Sequence, residues 1–297
     1  MKNNSEKLLL IISIIFIILG VGIFLYPSIS NYLAEKNHID IIRNYDDLIV
    51  KIDEEKINEE KEKAKIYNEN LSGDPVHDPF VIGSGYALPE NYKEVLNVGD
   101  DGVMGYVEIP KISVYLPIYH GTSDEVLEKG VGHIQNTSVP IGGKSTHSVL
   151  TGHTGLPNAE LFTRLDELGI GDIFYIHVLD DVLTYKVFET KVILPDKIDE
   201  LQILNGKDYV TLVTCTPYGV NSHRLLVKAE RVEYEEYSVT KSTTDEEGTD
   251  TKKESPSKHY YLTGTQIGIV LLVFILTIVS IIGISIRRKK NLYRIKK

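Results

Sequence analysis

The sequence predicts a mainly all-β domain, built as a closed barrel or a sandwich and held between two transmembrane helices. Three features of the 297-residue chain indicate this architecture. Two uncharged apolar runs, residues 8–26 and 267–286, match the ~20 helical residues that span the hydrocarbon core of a bilayer. Between them, residues 103–234 consist of short β-rich runs separated by Gly, Pro, Asn and Asp. Residues 235–262 are mostly Ser, Thr, Glu, Asp and Lys, which predicts a disordered linker.

Each apolar run has basic residues on the side that faces the nearer chain terminus. Lys2 and Lys7 precede the first run, and seven Lys and Arg residues follow the second. Because basic residues mark the cytoplasmic side of a membrane segment, the prediction is a two-pass protein of the cell membrane with residues 27–266 outside the cell. This outer section holds every acidic residue except Glu6 and has 18 more acidic than basic residues. Its negative charge argues against nucleic acid as a partner.

The first apolar run has two interpretations. It could be a signal peptide that is cleaved near residues 28–30, or an anchor that stays in the membrane. Its 19 residues exceed the usual core of a signal peptide, which is ~7–15 residues long. The length therefore favours the anchor.

Composition divides the chain into six parts. In order, they are an N-terminus with the first anchor (1–30), a juxtamembrane helical region (31–72), a loop (73–90), the β domain (91–234), the linker (235–262) and a second transmembrane helix with a basic cytoplasmic tail (263–297). The juxtamembrane region predicts a helix because residues 31–71 contain neither Gly nor Pro. Apolar side chains share one helical face there, at Ile41, Ile42, Tyr45, Leu48, Ile49 and Ile52. Mixed charges at 54–65 predict a solvated continuation of the helix, and a simple stalk is the alternative.

The β domain contains seven predicted strands and little helix. The strands are residues 104–109, 112–119, 148–151, 172–177, 183–194, 209–214 and 224–232. Short helices are predicted at 124–128, 159–168 and 199–204, and the pair Asp180 and Asp181 indicates a hairpin. A domain of this size can bury a core of its own.

Cys215 is the single cysteine, so the chain cannot form an internal disulfide. A lone thiol outside the cell is a liability unless it is buried or reactive. Cys215 ends the apolar run 209–214 and meets Thr-Pro-Tyr-Gly, so a strand would hold it while a turn leaves one side open. Because an ordinary thiol with a pKa near 8.5 is only a few per cent thiolate at neutral pH, Cys215 needs a base or a cation beside it.

Two residues are candidates for that support. Arg224 opens the run after the Cys215 turn, and an antiparallel return of the chain would bring its guanidinium to the same rim, where it favours a thiolate or binds an oxyanion. A surface salt bridge is the alternative role for Arg224. His153 lies between glycines in the segment LTGHTG at 150–155, and imidazole is suited to acid–base chemistry near neutral pH.

No metal or cofactor is predicted. His147 and His153 are six residues apart, which suits no common metal site, and the chain has no second cysteine to complete a zinc site. His223, next to Arg224, is interpreted as a polar residue at a strand edge.

Two long motifs resemble the sortase family, in particular class C, the pilin-polymerising sortases of Gram-positive bacteria. The first is TLVTCTPYGVNSHRLLV at residues 211–227, around Cys215. The second is PIGGKSTHSVLTGHTGLPNAELF at residues 140–162, around His153. The resemblance covers about residues 70–231, and two membrane spans are typical of class C.

The resemblance implies a sortase β-barrel and a cysteine transpeptidase. Cys215 would cleave an LPXTG-like sorting signal between Thr and Gly and form a thioester. His153 would protonate the leaving amine and deprotonate the incoming amine, and Arg224 would position the signal and stabilise the oxyanion. A pilin lysine would resolve the thioester. The implied partners are therefore pilin subunits with LPXTG-like signals, in addition to the lipid bilayer.

The segment Asp78-Pro79-Phe80 resembles the family's lid motif, in which an Asp-Pro-aromatic sequence covers the cysteine. The resemblance implies that Asp78 pairs with Arg224 and that Phe80 lies over Cys215. An ordinary proline turn before a domain is the alternative interpretation.

Three other functions are open. The chain could be a sortase that attaches proteins to a peptidoglycan amine, a cysteine hydrolase that transfers the acyl group to water, or a non-catalytic binding module on a sortase-like barrel. The lid motif and the second span argue against the first. The presence of Cys215, His153 and Arg224 together argues against the last.

Overall fold

The computed structural model of this chain describes residues 2–71 and 91–233. They fall into two compact units, one containing residues 2–32 and the other containing residues 33–71 and 91–233. The lid motif Asp78-Pro79-Phe80, the linker and the second predicted span lie outside the described residues.

Helix α1 (Lys2–Lys51) contains the first apolar run. Among residues 2–71 and 91–233, it is the one helix that is long and apolar enough to cross a membrane, from Ile11 onward. A helix of this kind near the N-terminus suits an anchor and a signal sequence equally well.

The second unit begins with the C-terminal part of α1, which buries one of its faces. Ile42, Tyr45 and Ile49 belong to the main core, which confirms the predicted apolar face. The Tyr45 hydroxyl donates to the carbonyl of Met104 at 3.2 Å and accepts from the amide of Leu179 at 2.8 Å. The helix is therefore fixed to the β domain by packing and by hydrogen bonds.

Helix α2 (Glu54–Glu69) follows after Asp53, whose carboxylate caps it by accepting from the amide of Lys56 at 2.9 Å. The prediction of a solvated helix was wrong for one of its faces. Ile57, Ala64 and Tyr67 are buried there because they pack against the main core.

Eight strands of the described chain close a barrel in the order β1-β2-β3-β4-β7-β8-β6-β5. They are β1 (Val103–Ile109), β2 (Val114–His120), β3 (Val131–His133), β4 (Thr146–Thr151), β5 (Ile173–Val178), β6 (Asp181–Ile193), β7 (Asp208–Thr216) and β8 (His223–Val232). The pairs β2–β3 and β4–β7 are parallel, and the other pairs are antiparallel. The closed barrel and the seven predicted strands are confirmed, and β3 is an addition.

Helical material in the barrel unit is short, as predicted. Helix α3 (Asp124–Lys129) matches the predicted segment 124–128. Three 3₁₀ turns cover Pro110–Ile112, Leu165–Glu167 and Ile198–Leu201. The predicted helix at 159–168 was wrong in extent, because only its Leu165–Glu167 part is helical.

Strands β4, β7 and β8 contribute apolar side chains to a different cluster on each of their two faces. Their inward side chains belong to the main core: Leu150, Val210, Leu212, Leu225, Val227 and Ala229. Side chains alternate along a strand, so Val149, Val213 and Leu226 point outward. These three residues form a second apolar group with Ile134, Ile193 and Leu201, which we call the outer cluster. Cys215 and Arg224 belong to the same outward set.

Candidate active site

Cys215 and Arg224 are directly paired across the antiparallel ladder of β7 and β8. Residues at the same position of such a ladder project from the same face with Cβ atoms ~4.5–5.5 Å apart. Cys215 is 8% exposed and Arg224 is 5% exposed. The antiparallel return of the chain is therefore confirmed, and Arg224 is buried rather than exposed on the surface.

The turn between the two strands is compact. The amides of Val220 and Asn221 both donate to the carbonyl of Pro217, at 3.0 and 2.9 Å. Gly219 and Asn221 have φ values of +74° and +58°, in the left-handed region that glycine and asparagine tolerate best. This backbone geometry is what brings the start of β8 back beside Cys215.

The guanidinium of Arg224 is held by the backbone of the same turn. Its Nη1 donates to the carbonyls of Asn221 and His223, at 3.1 Å each. An arginine fixed in this way keeps its orientation when a substrate binds, which lowers the entropic cost of each new hydrogen bond. His223 itself begins β8, as expected for a strand-edge residue.

His153 lies on the other side of Cys215. Strand β4 runs parallel to β7 and pairs Thr151 with Val213. The contact continues beyond the strand, because the amide of Gly152 donates to the carbonyl of Val213 at 3.1 Å and the Thr214 hydroxyl donates to the carbonyl of Gly152 at 2.7 Å. Continued for two residues past the end of β4, this register brings His153 level with Cys215, in one row with Arg224 on β8.

The loop after β4 explains the glycine before His153. A Cβ on Gly152 would lie 2.9 Å from the ring of Phe162, closer than real Cβ contacts allow. The amide of Phe162 in turn donates to the carbonyl of His153 at 3.0 Å. The absence of a side chain at Gly152 thus makes room for the Phe162 ring, while the Phe162 amide holds the backbone of His153.

Burial and two carboxylates act in opposite directions on His153. The side chain is half-buried, and this desolvation lowers its pKa below the ordinary value of 6.5. The carboxylates of Asp124 and Glu128 oppose the shift and raise the pKa. Since these acids are four residues apart on α3, they share one helical face. Neither was predicted from sequence, because α3 is distant from His153 along the chain.

The row can perform acyl transfer. A thiol beside a permanent cation and an acid–base group has what it needs to become a thiolate, attack a carbonyl and stabilise the resulting oxyanion. Strand register thus brings the three sequence candidates, Cys215, His153 and Arg224, to the same end of β4, β7 and β8. The lid candidates Asp78, Pro79 and Phe80 lie outside the described residues.

Known proteins resemble this chain over the barrel unit. Residues 107–232 match the model of the sortase domain. The crystal structure of sortase C from Streptococcus pneumoniae is 42% identical with a TM-score of 0.61, over 66% of this chain and 97% of that chain. Sortase C-1 from Actinomyces oris is 48% identical with a TM-score of 0.57, over 60% of this chain and 99% of that chain.

A relative from outside this group aligns over a shorter range. Sortase D of Bacillus subtilis is 33% identical over 131 residues, which are 43% of this chain and 63% of that protein. The chain thus spans just under two thirds of that relative, against nearly the whole of the two sortase C structures. On these similarities, the chain belongs to the sortase family of cysteine transpeptidases, and within it to class C.

Proposed function

We propose that this chain polymerises pilin subunits. It cleaves an LPXTG-like sorting signal between Thr and Gly, holds the acyl group as a Cys215 thioester and transfers it to a lysine amine of a pilin. The row of His153, Cys215 and Arg224 carries the proposal. The Streptococcus pneumoniae sortase C, whose crystal structure provides insights into pilin substrate specificity, supports the choice of substrate.

In the first step, the Cys215 thiolate attacks the carbonyl carbon of the signal's threonine. A C–S bond forms, and the carbonyl oxygen becomes an oxyanion that accepts hydrogen bonds from the Arg224 guanidinium. Collapse of this intermediate breaks the C–N bond to glycine. The His153 imidazolium gives its proton to the leaving amine, which departs as the neutral amine of the cleaved peptide.

In the second step, the neutral amine of a pilin lysine attacks the thioester carbonyl. His153, now neutral, takes the proton from the attacking nitrogen, and the C–S bond breaks to return the Cys215 thiolate. The product is an isopeptide bond, and His153 is again an imidazolium. Water must be kept from the thioester until the amine arrives.

The proposed location follows from the two apolar runs. Residues 1–30 anchor the chain in the cell membrane, and residues 263–297 return it to the cytoplasm after the linker at 235–262. The catalytic domain, residues 91–234, then faces the outside of the cell. In this arrangement the domain meets exported pilin subunits at the membrane surface.

The proposed lid occupies residues 73–90, with Asp78 pairing with Arg224 and Phe80 lying over Cys215. Residues on both sides of this segment meet at one place on the barrel. The ring of Tyr67 packs on that of Tyr92 at 5.9 Å between centroids, and the Tyr92 hydroxyl bonds to His133 Nδ1 at 2.9 Å. These contacts hold the described residues on either side of the proposed lid against β3.

Thiol accessibility tests the lid. In the full-length protein, Phe80→Ala should speed the modification of Cys215 by a thiol reagent, measured by intact mass over time. Phe188→Ala removes an aromatic ring from the surface of β6 and is the matched control. An unchanged rate in Phe80→Ala, or an equal increase in both variants, would contradict the proposed lid.

A competition between acceptors tests the function. The full-length protein in detergent would receive an LPXTG-type peptide together with a lysine-containing pilin peptide and an amine of the peptidoglycan type at equal concentrations. We expect the isopeptide product to dominate and Cys215→Ala to give none. Dominant transfer to the peptidoglycan amine or to water would identify a cell-wall-anchoring sortase or a hydrolase instead. Failure to cleave any sorting peptide would favour the non-catalytic binding module.

A further inference from the structure

The connection between β6 and β7, residues 194–207, covers part of the face that carries the catalytic row. Leu201, in the 3₁₀ turn Ile198–Leu201, is buried in the outer cluster with Val213 and Leu226. Val213 precedes Cys215 by two residues on β7, and Leu226 follows Arg224 by two residues on β8. The connection therefore packs on the outer face of β7 and β8 two residues away from Cys215 and Arg224 along each strand.

Two residues further from the catalytic row along β7 and β8, the outer face carries a buried lysine. Lys228 pairs with Thr211 in the ladder of β7 and β8 and is 9% exposed. Its ammonium lies 2.5 Å from a carboxylate oxygen of Glu200, in the connection, and 3.2 Å from one of Glu189 on β6. Lysine is almost never buried without a partner, because desolvating the charge is costly.

A histidine adds a second attachment beside this ion pair. Nδ1 of His147 lies 2.9 Å from the carbonyl of Gln202, and its Nε2 lies 2.7 Å from the Thr211 hydroxyl. Burial, reinforced by the charge of Lys228, lowers the pKa of His147 to about 4. His147 is therefore neutral at physiological pH and donates from Nδ1 to Gln202 while Nε2 accepts from Thr211.

These contacts bind the connection to the strands that carry the catalytic row. Lys228 holds Glu200, and His147 holds the carbonyl of Gln202. Leu201, between these two residues, is packed in the outer cluster. We propose that Lys228 and Glu200 are positioning residues for the acyl-donor peptide. Their ion pair fixes the connection as a wall of the groove in which the sorting signal lies, an inference that rests on the proposed function.

The ion pair of Lys228 and Glu200 is expected to affect binding of the donor peptide rather than the bond-making steps. An extended peptide advances ~3.3 Å per residue, so a donor whose threonine carbonyl lies at Cys215 passes the connection within a few residues. His153, Cys215 and Arg224 are held by contacts from β4, β7, β8 and their loops, as described above. Loosening the wall should therefore weaken donor binding while leaving the reacting groups in place.

Steady-state kinetics of the full-length protein in detergent, with an LPXTG-type donor peptide, tests the proposal. Lys228→Met keeps the length of the side chain and removes the charge, and it should raise KM about tenfold with kcat changed less than about twofold. Lys228→Arg should retain most of the wild-type KM. The effect of Lys228→Met should shrink in a Glu200→Gln background, because the two residues act through one contact.

Lys191→Met is the matched control. Lys191 contacts the other carboxylate oxygen of the same Glu200, but its side chain is 43% exposed, so the pair contributes little. An unchanged KM in Lys228→Met, a fall in kcat alone, or an equal effect of Lys191→Met would overturn the proposal. If Lys228→Met does not fold, Glu200→Gln alone decides by the same criteria. A wild-type protein that cleaves no donor would instead refute the proposed function.

Discussion

Cys215 and Arg224 occupy the same position of the β7–β8 ladder, so the thiol and the guanidinium share one face of the barrel. Their separation is set by strand pairing and by the turn of residues 217–222. The turn backbone also accepts the hydrogen bonds of Arg224. A single hairpin therefore supplies the proposed nucleophile and the proposed oxyanion partner with a fixed mutual geometry.

Replacing Arg224 by lysine should slow catalysis although the charge is kept. Lysine lacks the rigid fork that contacts the turn carbonyls and the oxyanion at once. We expect Arg224→Lys to lower kcat by about 10²–10³, the usual cost of losing one oxyanion donor. Steady-state cleavage of a sorting peptide would measure this, with the exposed Arg43→Lys as control. Equal kcat values for Arg224→Lys and wild type would contradict the proposed role.

Removing the carboxylates that face His153 should lower its pKa. The carboxylates of Asp124 and Glu128 stabilise the imidazolium. The neutral amides of the double variant Asp124→Asn, Glu128→Gln would not. The NMR titration of His153, and the pH-rate limb that follows it, should move to lower pH. Glu125→Gln is the control, because Glu125 pairs with Lys129 at 2.5 Å and does not act on His153. A shift to higher pH in the double variant would contradict the assignment.

Adding one methyl group before His153 should disturb the site. In Gly152→Ala the new Cβ meets the Phe162 ring at 2.9 Å, so the ring or the histidine must move. We expect a loss of about 1–3 kcal/mol in the free energy of unfolding, together with reduced kcat. Urea unfolding and peptide cleavage measure the two effects. At Gly169 the nearest atom to a new Cβ is 3.9 Å away, so Gly169→Ala should change neither.

Mild acid should destabilise the barrel unit through its buried histidines. Burial lowers the pKa of His38 and His147 to about 4 and that of His133 to about 3, against 6.5 when exposed. As the pH falls below about 6.5, the unfolded chain binds protons that the folded chain does not. Stability should therefore be greatest above pH 6.5 and decline towards pH 4, by up to about 1.4 kcal/mol per pH unit for each histidine.

Urea unfolding between pH 7 and pH 5 measures this decline. His38→Gln should reduce the slope, because one buried titrating group is removed. The carboxylate of Glu200 acts in a separate window, since hydrogen bonds from Lys191 and Lys228 lower its pKa to about 2 and its contribution is lost only below pH 4.5. A free energy of unfolding that is constant from pH 7 to pH 5 would contradict the assignment to histidine.

Local patterns in the sequence predicted most of the fold. The strands of the barrel were recognisable because β-rich runs alternate with turn residues, and Ile42, Tyr45 and Ile49 have helical spacing. Strand β3 was missed because Val131–His133 is too short to show alternation. The buried face of α2 was missed because Ile57, Ala64 and Tyr67 are separated by many charged residues.

The proposed catalytic residues were predictable and their supports were not. Cys215, His153 and Arg224 lie in local motifs, and the Pro-Tyr-Gly turn already indicates that Arg224 returns towards Cys215. Lys228 and Glu200, by contrast, meet only because β8 pairs with β7 and the connection folds over both. Such partners are set by tertiary structure, and charged residues on a strand or a turn usually lie in solvent.

The mass of the intact protein after exposure to a sorting peptide shows whether Cys215 forms a thioester with the cleaved signal. Full-length wild type and Cys215→Ala would each be mixed with an LPXTG-type peptide, without an amine acceptor, and quenched in acid. We expect an added mass equal to the peptide up to its threonine, mapped to Cys215 and absent from Cys215→Ala. Cleavage of the peptide by Cys215→Ala at the wild-type rate, or an adduct on another residue, would contradict this expectation.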